Sequence, residues 1–195
     1  MDWHEVIGIV AGVIWVGSAA PYILSIVRGK TRPSVVSSFL WTLLGVIDVA
    51  AQYSAGASWS IITVAAVTFN TGVFTVFALV GYGYKNNKLA WTDWACLVLA
   101  IVALVAWYLT QSPVVALLFS LAANLLAAIP TFIKTYHEPE SELALGWALV
   151  TLAGVLGIVS NTIWTPANLI MPVYITVECG IIAALAFAGK ALKRA

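Results

Sequence analysis

Charge is what this sequence has least of. Only 9% of its 195 residues are Asp, Glu, Lys or Arg, while 62% are hydrophobic and the mean hydropathy is +1.00. A soluble domain carries roughly a quarter charged residues, so this chain cannot cover a water-exposed surface and its surroundings must be mostly lipid. The net charge is +1, and no basic patch with interleaved aromatics occurs, which excludes a nucleic-acid partner. Cysteine is scarce too. Cys96 and Cys179 both sit inside apolar runs, leaving neither a disulfide framework nor a CxxC metal spacing. No HExxH and no Ser/His or Cys/His pair falls within an apolar run, so neither an embedded enzyme nor a metal or cofactor is expected. A retinal-binding pump fails as well, because Lys190 lies at the end of the last run and not at its centre. A basic leader is also missing. The first residues, "MDWHE", are acidic, so the first apolar run reads as a retained helix and not a cleavable signal.

What is present is a series of long apolar runs. About 20 such residues cross the hydrocarbon core as a helix, and seven runs qualify, at 6–27, 35–55, 58–82, 91–111, 113–134, 142–161 and 167–189. All nine Lys and Arg residues fall on one side of this series. Arg28, Lys30 and Arg32 follow the first run, Lys85 and Lys88 the third, Lys134 ends the fifth, and Lys190, Lys193 and Arg194 follow the seventh. The positive-inside rule then puts the C-terminus in the cytoplasm and the short acidic N-terminus outside. The expected location is a plasma or bacterial inner membrane, and a homo-oligomer is left open.

The runs repeat. Shifting the sequence by 106 superposes Pro33 on Pro139 and Trp41 on Trp147, whereas Pro21 and Pro130 are 109 apart. Runs one to three thus correspond to five to seven, with the fourth as a connector. The expected fold is an all-α membrane protein of seven helices, 3+1+3. Residues 1–82 form the first three-helix repeat, 83–111 the connector and 112–195 the second repeat. Three spans plus one connector restore direction, so the halves are parallel repeats with a cavity between them.

A proline near a helix end, a basic loop with Lys-Thr, and a following helix opening on Ser-Phe stand here as Pro21, Lys30-Thr31 and Ser38-Phe39, with Gly45 beyond. This resembles the PQ-loop/SWEET superfamily of transporters over essentially the whole chain. Where the family has glutamine after the proline, this chain has Tyr22 in the first copy and Thr131 in the second. The resemblance implies alternating access, with Pro21 and Pro130 as hinges for the two units. It also implies that tryptophans on the second helix of each repeat, here Trp41 and Trp147, and an asparagine on the third, here Asn70, line a solute site.

The residues themselves point to polar groups at mid-membrane depth. Trp41, Gly45, Asp48 and Gln52 are spaced 4, 3 and 4 apart, so they share a helix face. An aspartate at that depth is expensive in lipid and should face the bundle interior or water. Asp48 is therefore either a functional acid or a hydrogen bond pinning helices together. Trp147, Thr151, Gly154 and Ile158 form the corresponding stripe, with Asn161 one turn further. Glu178, at the centre of the last run with Tyr174 one turn before it, is the residue most expected to act. Asn70, shifted by 106 or 108, meets Thr176 or Glu178. Pro172 frees a backbone carbonyl one turn back. Asn124, four residues after Ser120, either touches solute or bridges helices.

Two function classes follow. The first is a facilitator or proton-coupled carrier for a small polar solute such as a sugar or amino acid, with Asp48 or Glu178 taking up a proton or meeting a cationic group. The second is a receptor or cargo-binding protein of the same fold. That would need basic residues inside the bundle, where the sequence places none.

Overall fold

The computed structural model describes residues 2–29, 35–82, 91–137, 139 and 143–192. Of the sequence features above, Lys30 to Pro33, Lys85, Lys88, Lys193 and Arg194 lie outside the described residues, as do the side chains of Pro130, Lys134 and Lys190.

In hydrocarbon a backbone must satisfy its own hydrogen bonds, and the apolar runs do so as helices. They are α1 (Trp3–Ser18), α2 (Ala20–Val27), α3 (Val35–Ser54), α4 (Ile61–Phe77), α5 (Trp91–Thr110), α6 (Pro113–His137), α7 (Ala144–Val159) and α8 (Pro166–Leu192). Among the described residues there is no strand. Four stretches are long and apolar enough to cross a membrane, namely Trp3–Leu24, Ile61–Tyr82, Pro113–His137 and Pro166–Gly189. Pro113 and Pro166 each open a helix, where the missing N–H removes no intrahelical bond.

Two runs are less regular than the hydropathy alone implies. The first is broken at Ala19 into α1 and α2, two residues before Pro21. A proline lacks the N–H for the carbonyl four back, and its ring crowds that carbonyl. The Ala19 N–H turns to Val16 O at 3.2 Å, a shorter loop than the α-helical one. By contrast α6 continues through Pro130 as α-helix. The third run begins with a turn at Ser58–Ser60 and ends in a π-helical turn, Ala78–Tyr82, in which Gly81 has φ 112°. Gly56, at φ 83°, turns the chain between α3 and α4. That left-handed backbone favours glycine.

Helix order inside the bundle is set by which neighbours pack. α4 packs between α1 and α3, and α8 between α6 and α7, so in each group of three the last helix is the middle one. The groups meet through α1 against α7 and α3 against α6, with α4 touching α8. α5 lies against α6 and α3.

The closest helix approaches recur with a fixed displacement. A Cβ on Gly45 would overlap the Thr68 hydroxyl, and a Cβ on Gly72 would lie 3.7 Å from Thr42 Cγ2. In the second group a Cβ on Gly154 would overlap the Thr176 hydroxyl, and one on Gly180 would lie 3.5 Å from Thr151 Cγ2. Each threonine hydroxyl donates to the carbonyl four residues back, at 2.7 Å for Thr42, 2.9 Å for Thr68, 2.8 Å for Thr151 and 2.7 Å for Thr176. That back-bonding holds the methyl and hydroxyl in fixed rotamers against the facing glycine. α3 positions map to α7 by adding 109, and α4 positions to α8 by adding 108. This contact register differs by almost one turn from the shift of 106 that superposes Trp41 on Trp147. Trp41 now matches Val150, Trp147 matches Ser38, Gln52 matches Asn161, and Asn70 matches Glu178 and not Thr176.

Candidate functional site

Three of the four residues on the α3 stripe point inward as their spacing requires. Gly45, Asp48 and Gln52 are buried, with Asp48 2% exposed and Gln52 fully enclosed. Trp41, at the start of the stripe, is 37% exposed and does not join them. The Ser120 hydroxyl of α6 lies within hydrogen-bonding reach of the Asp48 carboxyl. Asp48 Oδ1 and both amide atoms of Gln52 have no partner. A buried polar atom left unpaired costs about 1–3 kcal/mol, and α3 carries three of them on two residues one turn apart.

α8 supplies the other acid. Glu178 and Tyr174, one turn apart, are both partly buried. Tyr174 packs against the hydrophobic core, and its hydroxyl makes no formed hydrogen bond although it stands beside the Glu178 carboxyl. Tyr174 is also within electrostatic range of Asp48. Trp147 packs on the same core cluster from α7. Asn124 donates to Ser120 O at 3.0 Å and approaches Ser120 Oγ at 3.4 Å, so its amide is used within its own helix.

Asn70 has a structural task that the sequence did not expose. The break at Ala19 deprives the Trp15 carbonyl of its helical donor. Asn70 Nδ2 donates to it from α4 at 3.0 Å, and Ser18 Oγ donates at 2.6 Å. Asn70→Leu should therefore destabilise the protein by about 1–2 kcal/mol, read as a lower midpoint of unfolding in detergent. Asn70→Asp, which keeps an oxygen but offers that carbonyl no amide donor, should not rescue it.

No family model, no curated protein and no solved structure matches this chain.

A polar seam joins the two groups of helices at the end where α3 turns into α4 and α7 into α8. Ser58 Oγ accepts from the Thr162 N–H at 2.8 Å and lies 3.4 Å from Thr162 Oγ1. Asn168 Nδ2 donates to Gly56 O at 3.2 Å. Pro172 cannot supply an N–H to Asn168 O, and the buried Ser60 hydroxyl donates there instead at 3.3 Å. The carbonyl freed by Pro172 is thus the one that ties α8 to the other group. On α1, Gly8 lets the backbone approach this seam, since a Cβ there would sit 3.0 Å from Trp59 O and 3.5 Å from Ser160 Cβ.

Ser58, Ser60, Thr162 and Asn168 were not singled out by sequence reasoning. They lie at the ends of runs, where small polar residues normally signal turns. Only the proline four residues after Asn168 hinted at them. At the opposite end, Pro21 and Tyr22 are exposed, and the Tyr22 ring meets Phe74 edge-on with centroids 4.7 Å apart.

Proposed function

We propose that this protein is a membrane carrier that moves a small polar solute by alternating access between two three-helix units. The observation that carries this reading is the set of buried, unpartnered polar atoms in an apolar bundle, drawn from both groups of helices. Asp48 and Gln52 come from the first group, Asn161 and Tyr174 from the second. A protein whose only task was to be stable in lipid would gain by replacing them with apolar residues. A carrier needs such groups, because a solute leaving water must exchange its hydration for protein partners. The two units are residues 1–82 and 112–195, with α5 as connector. The recurring Gly–Thr contacts and the shared helix order support reading them as repeats. Basic residues on one side of the spans support an external N-terminus and a cytoplasmic C-terminus. The polar seam then closes the external side.

Under this reading the resemblance to PQ-loop and SWEET transporters has a physical counterpart. The break at Ala19 gives the first unit a hinge, while the second unit keeps an unbroken α6. The test is flux into proteoliposomes from a panel of sugars and amino acids. A receptor would bind a panel member without moving it.

The carboxyls allow coupling to protons. If Glu178 carries the proton, an inward pH gradient accelerates uptake, and Glu178→Gln abolishes that acceleration while leaving exchange at equal pH. Uptake indifferent to both the gradient and the substitution would discard proton coupling and leave a facilitator.

A further inference from the structure

We infer that the solute carries net positive charge, and that Asp48 is the group that recognises it. This rests on the carrier reading and names its substrate class. Asp48 is 2% exposed, its Oδ1 is unpartnered, and the group found beside it is the neutral Ser120 hydroxyl. Among the described residues no Lys, Arg or His forms an ion pair with Asp48 or Glu178; the ion pair found joins His4 to Asp2 at the N-terminus. Among the described residues neither carboxyl has a protein cation beside it.

Unpaired polar atoms elsewhere in the bundle lean the same way. Asn161 and Asn168, both fully enclosed, commit their Nδ2 groups to backbone carbonyls, Ile158 O at 3.3 Å and Gly56 O at 3.2 Å. That fixes each amide's orientation and turns both unpartnered Oδ1 atoms into acceptors. Counting Asp48 Oδ1 and Gln52 Oε1, the unpaired inventory holds four acceptor oxygens against one obligatory donor, Gln52 Nε2, besides hydroxyls. An ammonium or guanidinium group brings only donors, with the charge the carboxyls lack. A sugar brings donors and acceptors together and can meet Asp48 only as a neutral acid. A bare metal ion cannot use Gln52 Nε2, and no three His, Cys, Asp or Glu residues cluster to hold one among the described residues. A charged organic solute with an oxygen elsewhere satisfies Asp48 Oδ1 and both amide atoms of Gln52, one turn further along α3.

Arginine and citrulline separate these cases, since they are almost the same shape and differ in one positive charge. With the full chain in nanodiscs, arginine should bind at least tenfold more tightly than citrulline, glucose or sodium chloride alone. Asp48→Asn should remove that preference by weakening arginine and leaving citrulline unchanged, and Asp48→Glu should keep it. Should Asp48→Asn fail to fold, the native preference and the Asp48→Glu result still decide. Equal binding of arginine and citrulline, a response to sodium alone, no binding of any probe, or an arginine preference that survives in Asp48→Asn would each overturn the inference. Proteoliposomes separate this from the carrier reading. Arginine that binds but does not enter upholds the inference and removes the carrier. Glucose or citrulline that enters where arginine does not upholds the carrier and removes the inference.

Discussion

Joining Ser58→Cys to Thr162→Cys by oxidation should stop solute flux, and reduction should restore it. The two side-chain oxygens are 3.4 Å apart, and the Thr162 N–H already donates to Ser58 Oγ at 2.8 Å. Sulfurs at those places need only a small side-chain rotation to reach a bond of about 2.05 Å. The native Cys96 and Cys179 are buried and do not compete. In the proposed carrier every cycle of alternating access must part the two units on this side, so a covalent tie across the seam should lower uptake roughly tenfold or more. Each single cysteine variant should retain flux under the same oxidant, which separates the tie from damage. Full cross-linking with undiminished flux would show that the seam is a permanent joint. The solute would then have to pass elsewhere, and the two-unit carrier would be abandoned.

The helices were legible because hydropathy at this strength leaves little else to build. The runs at 35–55, 91–111 and 142–161 differ from α3, α5 and α7 by no more than two residues at either end. Asp48 was legible for the same reason, as an acid with no place facing lipid. The offset between the two groups of helices was less so. Tryptophan is conspicuous, and matching Trp41 to Trp147 set a shift of 106. The contacts follow glycine and threonine, whose importance depends on a facing helix that one sequence stripe does not reveal. Trp41 illustrates the difference, since it shares a helical face with Asp48 yet stays 37% exposed. Asn70 illustrates another. Its role at Trp15 O follows from a helix break fifty residues earlier, a consequence of Pro21 that only three-dimensional proximity connects to α4. The seam was hidden because it joins two loops whose residues each look like ordinary turn formers.

Alanine in place of four glycines gives a result whose sign is fixed by packing. In a helix, alanine is favoured over glycine by about 1 kcal/mol. At Gly17 of α1 a Cβ would meet nothing within 4 Å, so Gly17→Ala should stabilise the protein by up to about that amount. At Gly45, Gly154 and Gly157 the same Cβ would overlap the hydroxyl of Thr68, Thr176 and Thr63 respectively. Thr68 and Thr176 are held in place by their bonds to Val64 O and Pro172 O, so the helices themselves must separate. Forcing a methyl into such a contact costs about 1–3 kcal/mol, which exceeds the propensity gain. Gly45→Ala and Gly154→Ala should therefore lower the unfolding midpoint, and by similar amounts if the two units are copies. Trimming the matching partner should return part of the loss. Gly154→Ala should be relieved by Thr176→Ala and not by Thr68→Ala, because sites without shared contacts add independently. Gly157→Ala tests a different boundary, since Thr63 belongs to α4 and Gly157 to α7 across the junction between units. In the proposed carrier this junction opens and closes, and so spends part of its time without that contact. Gly157→Ala should accordingly impair the closed seam more than the fold, raising the rate at which Ser58→Cys and Thr162→Cys separate while shifting the unfolding midpoint less than Gly154→Ala does.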